Sequence, residues 1–353
     1  MICNYRMAIT LFCFVFGLGT VNTQAQDISL VGEIHLPKAS TLAWHPEGVF
    51  LAAGTPDGIY IYDSDLWLIH FLPQPSQEMK ELDWSPNGLY LAAYGTNDVL
   101  PFNPDEPFQT NTEVWDVAEE NVIHHFDENE FYISDMVWTS DGRIVNASWD
   151  GLVYIWDVFS PEMEVLQTGD FLGDSDWRGQ VTSMDWLDKA GMIVSLSANG
   201  NFLWLPSEET SIKLPIPNTT VVWLLRWNPM GDHILLGTAL YSVEDEVIHP
   251  LVNCTGASYW DPTGRFAAGF SPAPESDSAE LILCDPYQDN LLAKRVVGDW
   301  LPTTNNDRVI RTDPIAWHPD GNLIATTTQD GYIRIWDISG IIENWAINLE
   351  GEK

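Results

Sequence analysis

Apolar and β-branched residues recur along the chain in short runs. Each run is cut by a polar turn, and none shows a sustained helical period. Seven of the cuts share one form: a Trp, a few turn residues and a Gly. They are Trp44 to Gly48, Trp84 to Gly88, Trp138 to Gly142, Trp186 to Gly191 (one residue longer), Trp227 to Gly231, Trp260 to Gly264 and Trp317 to Gly321. Pro at the first inner position fixes φ, as at Pro46, Pro86, Pro229, Pro262 and Pro319. Gly at the last position permits positive φ, so each cut reads as a tight turn between two strands.

A second signal follows most of these anchors. Asp57-Gly58, Asp150-Gly151, Asn199-Gly200 and Asp330-Gly331 each precede an alternating strand that ends in an aromatic residue, often followed by Asp. Tyr62-Asp63, Trp115-Asp116, Trp156-Asp157 and Trp336-Asp337 are the closing pairs. Asp-Gly between strands is a hairpin signal. Each repeat therefore predicts strand a, the Trp turn, strand b, a second turn, strand c and a looser outer strand d. Residues 66–72 and 164–168 are examples of d.

These residues resemble the WD-repeat family of β-propellers over about residues 28–340. The match is fullest at the third and seventh repeats and weakest at the fifth, where no Trp-Asp pair occurs. The Gly-His dipeptide usual before strand a in that family is absent. Only a partial buried network of Asp150, Ser148 and Trp156 is therefore expected. The resemblance implies an all-β fold: a seven-bladed propeller of four-stranded antiparallel blades. Radial packing gives the same answer, because a doubly apolar blade cannot stand alone. Residues 338–353 show no matching outer strand, so residues 28–36 are expected to supply it and close the ring.

The N-terminus departs from the repeat. Arg6 precedes an uninterrupted apolar core over residues 7–18, and Thr23-Gln24-Ala25 offers small residues for cleavage. This is the layout of a secretory signal. The expected organisation is a signal peptide over 1–25 and a single propeller over 26–353, secreted or extracytoplasmic. No apolar run long enough for a membrane-spanning helix occurs.

Composition narrows the partners. The chain has 15 Lys and Arg against 51 Asp and Glu, a net charge of −36. Nucleic acid would meet a repelling field. The 17 Trp, 14 Phe and 11 Tyr exclude a disordered acidic tail.

The surplus residues lie in segments 95–112, 170–180, 271–279 and 298–313. Antiparallel topology sends all four to the rim opposite the Trp turns. Long loops on one face of a rigid scaffold suit binding. They carry Phe108, Trp177 and Trp300 with Asp98, Asp105, Glu106, Asp174, Asp176 and Asp299, and the scarce cations Arg178 and Arg308. The candidate interaction surface is Phe108, Asp105, Glu106, Asp174, Asp176, Trp177, Arg178 and Trp300.

No nucleophile elbow, zincin motif, phosphate-cradling Gly loop or calcium loop occurs, and no cofactor or metal is expected. His45 and His318 sit within Trp turns and read as turn residues. An exported interaction module for a protein or polymer fits best. The alternatives are a hydrolase or lyase with acids at the central channel, and a cell-envelope sensor or assembly factor. Sequons stand at Asn146, Asn218 and Asn253. Cys254 and Cys284 invite a disulfide by their spacing. Strand counting places them at opposite ends of the sixth blade, which predicts two free, buried thiols well separated in space.

Overall fold

The computed structural model describes residues 27–351 apart from 74–77, 97–109, 127–131, 168–179, 197–199, 206–209, 216–223, 274–277 and 300–313. Its strands form seven four-stranded antiparallel sheets, and these are the seven blades. Every anchor Trp is the last or, in blade four, the last but one residue of an inner strand a. Those strands are Thr41–Trp44, Glu78–Trp84, Ile133–Trp138, Val181–Leu187, Arg226–Trp227, Ala257–Trp260 and Ile315–Trp317. All seven closing glycines have φ between 70° and 91°, the left-handed region the turn requires.

Two of these glycines also leave room for a neighbour. A Cβ on Gly88 would lie 2.1 Å from Nε2 of His45, and one on Gly48 would lie 2.3 Å from Nε2 of His318. Each imidazole is held at Nδ1 by its own turn: His45 accepts from Glu47 N, and His318 Nδ1 lies 2.9 Å from Asp320 Oδ1 and 3.2 Å from Asp320 N. Each then donates from Nε2 to the next turn, His45 to Gly88 O (3.2 Å) and His318 to Gly48 O (3.1 Å). These histidines are turn residues, as expected, and they also latch blade seven to one and blade one to two.

The apolar side chains gather between blades. There are seven buried clusters, one at each interface. One joins Ala52 and Ile61 to Leu82 and Leu91, and the next joins Ala92 and Val114 to Met136 and Ile144. Packing between flat faces is what a doubly apolar sheet demands. Blade five is the slightest, with inner strands of only two and three residues, Arg226–Trp227 and His233–Leu235.

Ring closure follows the expected device. The strand Ser29–His35 pairs antiparallel with Tyr332–Asp337, the third strand of blade seven, and serves as its outer strand. Ile28 just before it is fully buried among Phe266, Ile324 and Trp336. Residues after Ile338 do something the sequence did not announce. They form a helix, Ser339–Gly351, that packs Ile341 and Trp345 on blades six and seven. The Trp345 ring meets the edge of Phe266 at 4.9 Å. No helix among the described residues is long and apolar enough to cross a membrane.

The expected Asp150, Ser148 and Trp156 network forms only in part. Asp150 N donates to Ser148 Oγ, and Asp150 accepts from Tyr154 Oη at 2.7 Å, but Trp156 Nε1 finds no partner. In blade seven the equivalent indole of Trp336 does bond, to Thr326 Oγ1 at 2.8 Å. Of the sequons, Asn146 is fully buried, which removes it as an acceptor in the folded chain. Asn218 lies outside the described residues.

If the N-terminal strand closes the ring, Ile28→Ala destabilises the fold by about 2–5 kcal/mol, the cost of emptying a buried site. Urea unfolding checks this. A change near zero would mean that the segment is not docked.

Candidate functional site

Each inner strand has a sheet partner on one side only. Its other edge faces the axis, where backbone N–H groups need partners that the sheet cannot give. On one side of the ring, side chains supply them. Glu81 Oε2 accepts from Met136 N at 3.0 Å, and Asp83 Oδ2 accepts from Trp138 N at 2.9 Å. Asp135 Oδ2 accepts from Met184 N (3.0 Å) and Ser183 Oγ (3.1 Å). Ser183 Oγ accepts in turn from Leu225 N (3.1 Å), and Asp185 Oδ2 from Trp227 N (2.7 Å). Blades two, three, four and five are stitched in sequence by acceptors one and three residues before each anchor Trp.

The anchors add a second set of stitches. Trp84 Nε1 donates to Ala43 O, Trp138 to Asp83 O, Trp260 to Arg226 O and Trp317 to Tyr259 O, at 2.9–3.2 Å. In each case the acceptor is the residue just before the previous anchor. The longer turn of blade four breaks the pattern. Trp186 bonds Asp188 in its own turn, and Trp227 Nε1 reaches Gly191 O instead. Trp44 Nε1, at the seam between first and last blades, has no partner.

These acids surround a cavity of about 180 Å³, lined by Glu81, Asp83, Asp135, Met136, Asp185 and Arg226 among others. Arg226 is the cation of the group. Its guanidinium lies 3.4 Å from Asp135 and 3.8 Å from Glu81, and it donates to the carbonyls of Met184 (3.2 Å) and Leu225 (2.9 Å). Burial pushes the Asp185 carboxyl up to about 6, and Asp135 adds to the rise. Arg226 and the N–H groups of Trp227 and Trp186 oppose it. Among the described residues no cluster of His, Cys, Asp or Glu has the makings of a metal site.

The sequence reading did not single out these acids. The available signal was a charge one or three residues before the anchor: Glu81 and Asp83 before Trp84, Asp135 before Trp138, Asp185 before Trp186 and Arg226 before Trp227. Among 51 acids that signal is faint. The surface expected from sequence, Phe108, Asp105, Glu106, Asp174, Asp176, Trp177, Arg178 and Trp300, lies outside the described residues. Its segments join strands b and c of blade two, blade three to four, and blade six to seven.

The comparisons with known proteins match the geometry. Residues 120–157 and 315–337 match the family model described as WD domain, G-beta repeat. Telomerase protein component 1 of Rattus norvegicus is 24% identical over 264 residues, 72% of this chain and 9% of that protein. Gem-associated protein 5 of Homo sapiens is 26% identical over 162 residues, 40% of this chain and 10% of that protein. The chain thus spans about a tenth of the length of these relatives. Among solved structures, the β-propeller domain of Myceliophteria thermophila Cps50 (Swd1) superposes with a TM-score of 0.64 at 15% identity, covering 88% of this chain and 100% of that one. A chain in the crystal structure of a mitotic checkpoint complex superposes at 0.62 with 14% identity, covering 95% and 99%. At such identities the likeness is one of fold.

Two predictions test the stitching. Asp83→Ala leaves the Trp138 N–H without its acceptor and costs about 1–3 kcal/mol in chemical denaturation. An unchanged midpoint would mean that water replaces the carboxylate freely. The second concerns pH. Asp185 binds its proton more tightly when folded, since its carboxyl titrates near 6 rather than at the ordinary 3.8. Its protonation therefore adds stability as pH falls from 6 towards 4, and that gain is lost as pH rises through 6. Relative to Asp185→Asn, the wild type should lose roughly 2–3 kcal/mol over that rise. Parallel stability profiles for the two proteins would refute the assignment.

Proposed function

We propose that this chain, a WD-repeat β-propeller, is a non-enzymatic interaction scaffold that is exported and binds a protein or polymer through its loop-bearing rim. The observation that carries this reading is the use made of the channel acids. Glu81, Asp83, Asp135 and Asp185 each accept a backbone N–H of the next blade. Groups so employed hold the ring rigid and are poorly placed to act as mobile acids or bases. A rigid ring is what a loop surface needs as its platform. Propellers of this family typically bind proteins, and two of the similar proteins bear names that place them in larger assemblies, a telomerase component and a checkpoint complex. Export rests on Arg6, the apolar run over 7–18 and the small residues before Gln26. The charge of −36 favours a partner with basic patches over nucleic acid.

A hydrolase or lyase is the second reading, favoured by one observation: the Asp185 carboxyl titrates near 6 beside a cavity. One experiment separates the two. The mature protein, and a variant with Trp177→Ala, Arg178→Ala and Trp300→Ala, are used to capture partners from the extracytoplasmic fraction of the source. The scaffold reading expects a partner held by wild type, lost by the loop variant and retained by Arg143→Ala on the opposite, Trp-turn rim. Capture indifferent to the loop changes would sink it, as would substrate turnover abolished by Asp185→Asn.

A further inference from the structure

Cys254 is not where strand counting puts it. Cys254 is not on strand a of blade six, which begins at Ala257. It sits in the connection from blade five, over residues 251–256, and that connection folds back against the turn between strands c and d of blade six. The Asp289 carboxylate at that turn accepts from the backbone N–H of Val252, Asn253 and Cys254, all at 3.0–3.1 Å. Asn253 Nδ2 donates to Asp289 O at 3.0 Å, and Thr255 Oγ1 donates to Leu251 O at 2.8 Å. The folded-back connection delivers Cys254 Sγ to 3.8 Å from the carbonyl of Asp285, the residue next to Cys284. That places Cys254 in the same buried cluster as Cys284, and the two thiols influence one another.

Both cysteines are free and fully buried, in one apolar cluster with Leu235, Leu240, Trp260 and Ile282 between blades five and six. The expected wide separation fails because a loop is not bound to the rise of a strand. Cys284 keeps the expected register, opposite Ala267, as Trp156 stands opposite Ile144 in blade three.

We propose that Cys254 and Cys284 form an intramolecular disulfide when the chain folds in the presence of a disulfide oxidant. One thiolate displaces a thiolate from the oxidant and forms a mixed disulfide. The second cysteine sulfur attacks the protein sulfur of that bond and displaces the other thiolate. The two S–H protons pass to the two released thiols, so the cysteine pair is oxidised and the oxidant disulfide reduced. The bond joins the connection from the slightest blade to strand c of its neighbour, bracketing three strands of blade six. Restricting the unfolded chain in this way is how disulfides stabilise.

Timing follows from the surroundings. The neighbouring Cys284 thiol, burial, and the Asp289 and Asp285 carboxylates all push the Cys254 thiol up. The Cys254 thiolate is therefore scarce in the folded, reduced protein, and both sulfurs are shut away from an oxidant until the connection opens. Oxidation belongs to folding, and the folded reduced chain resists it.

The test uses the full chain. It is reduced in denaturant, refolded in a reduced and oxidised glutathione buffer, alkylated without reductant and digested with trypsin. Cleavage at Arg226, Arg265 and Lys294 isolates Cys254 in residues 227–265 and Cys284 in residues 266–294. The expected product is these two peptides joined, in most of the chain, and separated by reductant. Cys254→Ser and Cys284→Ser each abolish the joined species. The oxidised wild type should melt several degrees above its reduced form, whereas Cys254→Ser should melt alike in both buffers. If refolding yield is low, native reduced protein in oxidised glutathione and sub-denaturing urea is read by the same peptides. Both peptides fully alkylated, or joined to Cys3, Cys13 or another chain, would overturn the proposal.

Discussion

Seven sheets that meet at an axis each present an edge strand to it, and that edge carries N–H groups with no strand to pair with. A propeller must satisfy them from side chains, solvent or neighbouring blades. In this chain the answer over blades two to five is a run of carboxylates and one serine, set one and three residues before the anchor Trp. Each reaches the inner strand of the following blade. Most anchor indoles point the other way and donate to the preceding blade. Blades two and three, and blades four and five, are thus bonded in both directions, while apolar clusters fill the wider space outside.

This arrangement explains both the charge inside the channel and its limits. Buried acids are tolerable when they are hydrogen-bonded and partly compensated. The backbone N–H groups and Arg226 provide that here, and the Asp185 carboxyl shows the residual strain. The other side of the ring uses different means. His318 latches turns across the seam and His45 latches those of blades one and two, and Ser40 and Thr327 donate to carbonyls of the next blade. The N-terminal strand joins the two ends of the chain in one sheet. A scaffold reading sits easily with such a ring, because its polar groups are occupied in holding blades together.

The blade count, the place of every anchor Trp and the closing strand were legible because each rests on local chemistry. A Trp, a proline-fixed turn and a glycine at positive φ specify a hairpin without reference to the rest of the chain. Features set by tertiary contact were not legible. The helix Ser339–Gly351 owes its place to Ile341 and Trp345 finding Phe266 and its neighbours. The channel acids look like any of the other acids until the ring brings Asp83 beside Trp138. Cys254 shows the same limit, since the Asp289 carboxylate, 35 residues away in sequence, decides where its loop goes. The aromatic and acidic loop residues from Asp105 to Trp300 remain a reading of sequence, carried by their length and composition.

Amide hydrogen exchange in the native state tests the central claim most directly. If channel carboxylates hold the inner edges, the N–H groups of Met136, Trp138, Met184 and Trp227 exchange slowly despite lying on unpaired strand edges. Replacing Asp83 by Ala should then speed exchange at Trp138 locally, and leave the inner strands of blades six and seven untouched. Fast exchange at these four amides in the wild type, or rates at Trp138 unaltered by the substitution, would contradict the account.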